Sequence, residues 1–140
     1  MGDRRRNIEP LVMQGKVMLQ LASLKPIEWA PGVLRTLRGF PKAVRIAIGR
    51  ALQFAQAGSK HPAAKALKGF AGANVLEVVE DHDRASYRAV YTVRFKDVVY
   101  VLHVFQKKSK SAIATPQREM DLVRERLKWA EQSQQRRKNS

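Results

Sequence analysis

Two neighbouring segments rich in valine, tyrosine and phenylalanine constrain the fold of this 140-residue chain most strongly. They span residues 86–95 and 98–106, and only Lys96 and Asp97 lie between them. This composition is typical of β-strands, and a two-residue connection makes the two strands antiparallel neighbours. The sequence therefore predicts a tight β-hairpin at this point of the chain.

The position of the loop also predicts which side chains share a face of the hairpin, because side chains alternate along a strand. Pairing across the loop places Arg88 opposite Phe105, Val90 opposite His103 and Thr92 opposite Val101. A mixed face then carries Arg88, Val90, Thr92, Arg94, Val99, Val101, His103 and Phe105. The other face is more apolar and requires cover by helices. We expect the mixed face to stay open as a groove.

The remaining segments predict the elements around the hairpin. We expect an edge strand at 26–29, helices at 31–38 and 41–57, a loop at 58–73 and a strand at 74–80. Thr115 is suited to cap a last helix, and Pro116 is suited to its first position. The apolar residues that follow recur at the spacing of one helix face. The order β-α-α-β-β-β-α indicates an α+β fold with an antiparallel meander sheet.

Three segments of different character are expected along the chain. Residues 25–131 form the folded domain. Residues 1–24 form an N-terminal extension that is flexible or partly helical, and residues 132–140 form a frayed, basic polar tail.

Charge is the unusual property of the composition. The chain has 27 Lys and Arg residues against 12 Asp and Glu residues, a net charge of +15 and a pI near 10.8. Such a surface attracts polyanions, of which nucleic acid is the commonest. Cysteine is absent, which excludes disulfides and a thiol nucleophile. The three histidines lie far apart without paired carboxylates, so we expect no metal and no cofactor.

Membrane insertion is not expected, because no apolar run reaches the roughly 18 residues that a membrane-spanning helix needs. The absence of cysteine fits the cytosol, so we expect a cytoplasmic protein.

The mixed face offers groups that can cleave RNA. RNA supplies its own nucleophile, the 2′-hydroxyl, so cleavage needs a proton acceptor, cations for the phosphate and an acid for the leaving oxygen. Arginine suits the phosphate, histidine exchanges protons near neutral pH, and lysine acts as a point charge or proton carrier. The predicted catalytic residues are Arg88, His103, Lys107 and Lys108. The predicted RNA-binding residues are Lys110, Lys68, Lys65, Arg94 and Phe105.

Other roles stay open for three of these residues on the sequence alone. Arg88 can pair with Glu77 or Glu80, His103 can be a buried core histidine, and Phe105 can simply fill space.

A resemblance adds to this interpretation. The run Tyr87-Arg88-Ala89-Val90-Tyr91, the stretch 101–110 and the helix start Thr115-Pro116 resemble the phage-derived, HigB-like branch of the RelE/ParE toxin superfamily. The resemblance implies a sheet packed by an N-terminal helical hairpin and a C-terminal helix. It also implies a type II toxin–antitoxin toxin that cleaves mRNA in the ribosomal A site, with a helix-turn-helix antitoxin as partner. Arg88 matches the phosphate-contacting arginine, and Lys107 and Lys108 match the basic residues after the last strand.

The chain departs from RelE at two places. Glu77 and Val79 stand where RelE has lysines, and no tyrosine follows Tyr100, so His103 or a lysine must take the acid–base role. Two alternatives therefore remain: a ParE-like inhibitor of DNA gyrase, and a non-catalytic, phage-related nucleic-acid-binding protein.

Overall fold

The computed structural model describes residues 24–107 and 115–139 of the chain. Their elements are β1 (Ile27–Trp29), α1 (Val33–Arg38), α2 (Lys42–Gln56), β2 (Lys65–Ala66), β3 (Val75–His82), β4 (Ala85–Thr92), β5 (Val99–Lys107) and α3 (Gln117–Lys138). The predicted α+β fold is confirmed, and the predicted helices and strands are all present, within a few residues of their expected bounds except at the C-terminal end of α3. The predicted loop at 58–73 is wrong in part, because it contains the short strand β2. The N-terminal extension lies outside the described residues, apart from Leu24.

The five strands form one sheet in the order β1-β5-β4-β3-β2. Strands β2 to β5 form an antiparallel meander, and β1 pairs parallel to β5 at one edge. Between β3 and β4 the chain turns at Asp83 and Arg84, whose φ angles are 47° and 66°. Two left-handed residues give a turn whose twist matches that of the paired strands. This meander places β4, the strand of the Tyr-Arg motif, at the centre of the sheet.

Helices cover both faces of the sheet. Helices α1 and α2 pack on one face through an apolar cluster that includes Val44, Ile48 and Tyr91. Helix α3 packs on the other face, where Val123 and Ala130 are fully buried. The expectation that the mixed face stays open is therefore wrong. The apolar stripe of α3 must also be buried, and it is buried against the mixed face of the sheet.

The predicted hairpin register is correct at one end and wrong at the other. Arg88 pairs with Phe105 and Val90 with His103, as predicted, but a bulge then shifts the pairing so that Thr92 lies opposite Tyr100 instead of Val101. The extra residue is Leu102, which has no partner on β4. An extra residue reverses the faces of the residues beyond it. Val99 and Val101 consequently pack with α1 and α2, whereas Tyr100 and Leu102 pack against α3.

The connection between β4 and β5 is longer than the predicted two residues, because β4 ends at Thr92 and β5 begins at Val99. The buried hydroxyl of Thr92 donates to the carbonyl of Ala73 at 2.7 Å and accepts from the backbone N–H of Arg94 at 3.1 Å. The Thr92 side chain thus supplies hydrogen bonds where the ladder stops. Such local competition with strand pairing is typical of threonine.

Helix α3 continues to Lys138, so the expected fraying of residues 132–138 is wrong. Gln134 anchors this end: it accepts a hydrogen bond from the Tyr100 hydroxyl at 3.1 Å and donates to Asp97 at 2.9 Å. Arg137 adds an ion pair to Glu28 at 2.9 Å. Within the described residues, no helix is long and apolar enough to cross a membrane.

Candidate nucleic-acid interface and active site

Arg88 lies on the central strand, where its side chain forms a network with the side chains of Glu77 and Thr115. Its guanidinium Nη1 is 3.6 Å from Glu77 Oε1 and donates to the Thr115 hydroxyl at 3.2 Å. That hydroxyl donates in turn to Glu77 Oε2 at 2.7 Å. Arg88 is 4% exposed, and the Glu77 side chain is 12% exposed. The pairing with Glu77 that the sequence left open is therefore present. Thr115 serves this network and not the predicted cap, since Pro116 occupies the N-cap position of α3.

Lys107 ends β5 close to this network. It pairs across the ladder with Ser86, two residues before Arg88 on β4. Partial burial and the neighbouring charge of Arg88 lower the pKa of the Lys107 ammonium, and the carboxylate of Glu77 acts in the opposite direction. A lysine beside an arginine gives up its proton more readily, so Lys107 is suited to proton transfer. Lys108 and Lys110, predicted beside it, lie outside the described residues.

His103 joins β5 to α3. Its Nδ1 is hydrogen-bonded to the Arg126 guanidinium, and its Nε2 lies 3.3 Å from Glu119 Oε1. Because arginine only donates, Nδ1 must accept and the proton sits on Nε2, which donates to Glu119. Burial lowers the pKa of His103; the hydrogen bond to Glu119 opposes this shift and the charge of Arg126 adds to it. The ring is thus neutral, with both nitrogens engaged.

Phe105 stacks on His103 with ring centroids 5.2 Å apart and planes 21° from parallel. It also lines an open groove of about 280 Å³ between the end of β5 and the first turns of α3. The groove is lined by Phe105, Gln106, Lys107, Pro116, Arg118, Glu119 and Leu122. An aromatic ring and two cations around one groove fit a nucleotide, whose base stacks and whose phosphate pairs with cations.

Arg118, Glu119 and Arg126 are site residues that the sequence analysis did not identify. The available signal for Arg118 was its position in the sequence a few residues after the basic stretch 107–110. Glu119 and Arg126 had no local signal, because their roles depend on where α3 docks. Arg126 also donates to the carbonyl of Leu102, the bulged residue, at 3.2 Å.

The other predicted RNA-binding residues are distributed over the molecule. Lys65 is exposed on the edge strand β2 opposite Glu77, so it points to the same face as the Arg88 network. Lys68 is exposed in the loop that follows.

Arg94 lies at the other end of the sheet, where it pairs with Glu131 at 3.1 Å. Glu119 lines the same groove as Lys107, and Glu131 lies ~18 Å from Glu119 along α3, at 1.5 Å per residue. The structure thus does not bring Arg94 together with Lys107. In the described part of the chain, no cluster of side chains is suited to hold a metal ion.

Comparison with known proteins identifies the family. The family model described as Phage derived protein Gp49-like matches residues 35–128, which is more than half of the chain. The chain belongs to the Gp49-like family. This is a RelE-like toxin family, so the predicted membership of the RelE superfamily is confirmed. Membership makes the Gp49-like chain a toxin-family protein of toxin–antitoxin systems and implies an antitoxin as partner.

No curated protein matches the Gp49-like chain. Among solved structures, a mutant of the E. coli toxin RelE in the free state is similar, with 22% sequence identity and a TM-score of 0.47. The similarity covers 64% of this chain and 87% of that one. A likeness at this level assigns no function. The HigB-like branch within the superfamily stays a prediction.

Proposed function

We propose that the Gp49-like chain is a toxin that cleaves messenger RNA in the ribosomal A site and is neutralised by a helix-turn-helix antitoxin. The observation that carries the proposal is the placement of Arg88 on β4, opposite Phe105, near Lys107 at the end of β5, beside the groove that Phe105 and Lys107 line. The net charge of +15 supports binding to a polyanion as large as a ribosome-bound message.

Arg88 is proposed to bind the scissile phosphate. A guanidinium has five N–H donors in one plane, so it can bind a phosphate while it remains paired with Glu77. The Glu77–Thr115 network fixes the orientation of the guanidinium before substrate arrives, and preorganised donors stabilise developing charge most effectively. Because Arg88 is buried, the neighbouring side chains must move aside when the phosphate binds.

Lys107 is proposed to move the proton. Its neutral amine takes the proton of the 2′-hydroxyl, whose oxygen then attacks the adjacent phosphorus. The bond from phosphorus to the 5′-oxygen breaks, and the ammonium of Lys108 gives a proton to that oxygen. The products are a 2′,3′-cyclic phosphate and a 5′-hydroxyl. The lowered pKa of Lys107 supports this assignment, since a general base works best near the operating pH.

His103 is assigned a positioning role instead of proton transfer, because both of its nitrogens are engaged. It holds Phe105, on which a base of the message is proposed to stack. Lys65, Lys68 and Lys110 are proposed to contact the RNA backbone. Arg94 is too distant to share in the reaction and can add only a remote contact.

A ribosome cleavage assay tests the proposal. Purified protein is added to programmed ribosomes that carry end-labelled message, and the wild type is compared with Arg88→Lys, Lys107→Met and Arg50→Gln. Arg50 is an exposed cation on α2, on the opposite side of the sheet, so its variant controls for net charge. We expect Lys107→Met to lower the cleavage rate by about 100-fold or more, the range of a lost proton-transfer group. We expect Arg88→Lys to weaken cleavage and Arg50→Gln to leave it unchanged.

Intact message with the wild type would refute the proposal. A parallel supercoiling assay then decides between the alternatives. Inhibition of DNA gyrase without RNA cleavage would favour the ParE-like activity. Salt-sensitive RNA binding without either effect would favour a non-catalytic nucleic-acid-binding protein.

A further inference from the structure

Two buried hydroxyl groups on β4 have no hydrogen-bond partner in the part of the chain that the structure describes. They belong to Ser86, which is 3% exposed, and to Tyr91, which is 1% exposed. Buried polar groups in native proteins nearly always have a partner, so each of these two hydroxyls requires a physical reason.

The two hydroxyls lie on opposite faces of the strand. Tyr91 belongs to the apolar cluster beneath α1 and α2, and burial there raises its pKa to about 12. Its hydroxyl therefore stays protonated in an apolar core that offers nothing for a substrate to contact. Ser86 shares its face with Arg88, because residues two apart on a strand point the same way.

Ser86 neighbours two residues of the proposed active site, Arg88 and Lys107. It lies opposite Lys107 on β5 and opposite Asp81 on β3. Side chains paired across antiparallel strands have Cβ atoms about 5 Å apart, and Arg88 follows about 7 Å along the same strand. The Ser86 hydroxyl thus sits beside both residues to which the proposed function gives a role at the cleavage position: Arg88, which binds the phosphate, and Lys107, which takes the proton of the 2′-hydroxyl.

We propose that Ser86 is a further substrate-contacting residue, whose hydroxyl donates a hydrogen bond to an oxygen of the phosphate that Arg88 binds. The inference rests on the proposed function and adds a residue to the same site. A neutral donor gives the phosphate another hydrogen bond without placing a further positive charge beside Arg88 and Lys107. The substrate also supplies the partner that the hydroxyl lacks in the free protein, so binding relieves an unfavourable burial.

Three variants test the role of Ser86. Ser86→Ala removes the hydroxyl, Ser86→Thr keeps it, and Tyr91→Phe removes the matched buried hydroxyl on the opposite face of β4. Two readouts are used on programmed ribosomes: the rate of message cleavage, and the affinity for a message with a 2′-deoxy nucleotide at the cleavage position, which binds without reacting. Thermal unfolding of each free variant reports stability.

Ser86→Ala is expected to lower cleavage and affinity by about 10- to 100-fold, the range for a hydrogen bond to a charged group. Its unfolding temperature stays at or above that of the wild type, because the free protein loses no hydrogen bond. Ser86→Thr restores both readouts to within a few-fold of the wild type, and Tyr91→Phe changes neither.

Equal affinity of Ser86→Ala and wild type for the 2′-deoxy message would overturn the inference, whatever the cleavage assay shows. Loss of activity together with a large fall in unfolding temperature, without rescue by threonine, would also overturn it in favour of a structural role. Failure of the proposed function is a separate result: it requires that the wild type itself leaves the message intact.

Discussion

Removing the Arg88 guanidinium should destabilise the fold because it leaves the Glu77 carboxylate buried without its countercharge. In Arg88→Ala the Glu77 side chain, 12% exposed in the wild type, keeps the hydrogen bond from Thr115 but loses the guanidinium 3.6 Å away. Breaking a buried ion pair by removing one partner costs about 3–5 kcal/mol. This is a large part of the about 5–15 kcal/mol that stabilises a typical domain. Urea unfolding at neutral pH measures the difference from the midpoint and slope of the transition.

Arg94→Ala is a matched control. Arg94 pairs with Glu131 at 3.1 Å, which is shorter than the 3.6 Å between Arg88 and Glu77, but its partners are 43% and 44% exposed. An exposed pair contributes about 0–1 kcal/mol, so this variant should unfold almost as the wild type does. The double variant Arg88→Met with Glu77→Gln should recover at least half of the loss, since the amide still accepts from Thr115. A loss below about 1 kcal/mol for Arg88→Ala would refute the reasoning, because it would place Arg88 in the range of exposed pairs.

Three further outcomes are expected. The pKa of His103 is lowered in the folded state, so the unfolded chain binds the proton more readily. The contribution of His103 to the free energy of unfolding is therefore fully present above the unfolded pKa of about 6.5 and is lost as the pH falls through the folded pKa. Urea unfolding at several pH values should show this loss in the wild type, and an equal slope in His103→Gln would contradict it. Lys107→Arg retains a cation at this position, but an arginine cannot exchange a proton near neutral pH. The variant protein should therefore bind the 2′-deoxy message as the wild type does and fail to cleave a normal message. Normal cleavage by this variant would exclude Lys107 from the proton-transfer role. Gln134→Ala removes the hydrogen bonds to Asp97 and Tyr100 and should lower the free energy of unfolding by about 1–3 kcal/mol. Gln135→Ala, at the exposed neighbouring position, should lower it by less than about 0.5 kcal/mol in the same urea measurement. Equal effects of the two variants would mean that residues 132–138 do not dock on the sheet.

Local sequence signals predicted the elements of this fold well. The β-rich segments, the Pro41 helix start and the apolar stripe on α3 each follow from residue type and spacing alone. The same signals failed where the strand register, or the face to which a side chain points, depended on contacts with distant parts of the chain. Leu102 carries no mark of a bulge, yet the shift at this residue moves Val101 to the opposite face of the sheet.

The tail of α3 shows the same limit. Residues 132–138 are polar and give no local reason for a docked helix. Gln134 is nevertheless buried, because Asp97 and the Tyr100 hydroxyl satisfy its amide. A polar side chain is buried without penalty when its partners are in place, and the sequence does not show which partners those are.

The position of α3 also decides how much of the mixed face can bind RNA. His103 was predicted on that face and is there, but Arg126 and Glu119 of α3 occupy its two nitrogens. Because α3 covers most of this face in the described residues, we place the substrate in the groove at the end of β5. That end holds Lys107, and the groove beside it begins at Phe105. The proton-transfer role is therefore proposed for Lys107 at the end of β5, with Arg88 close by on β4, and residues farther along the same face, His103 among them, support the helix that bounds the site.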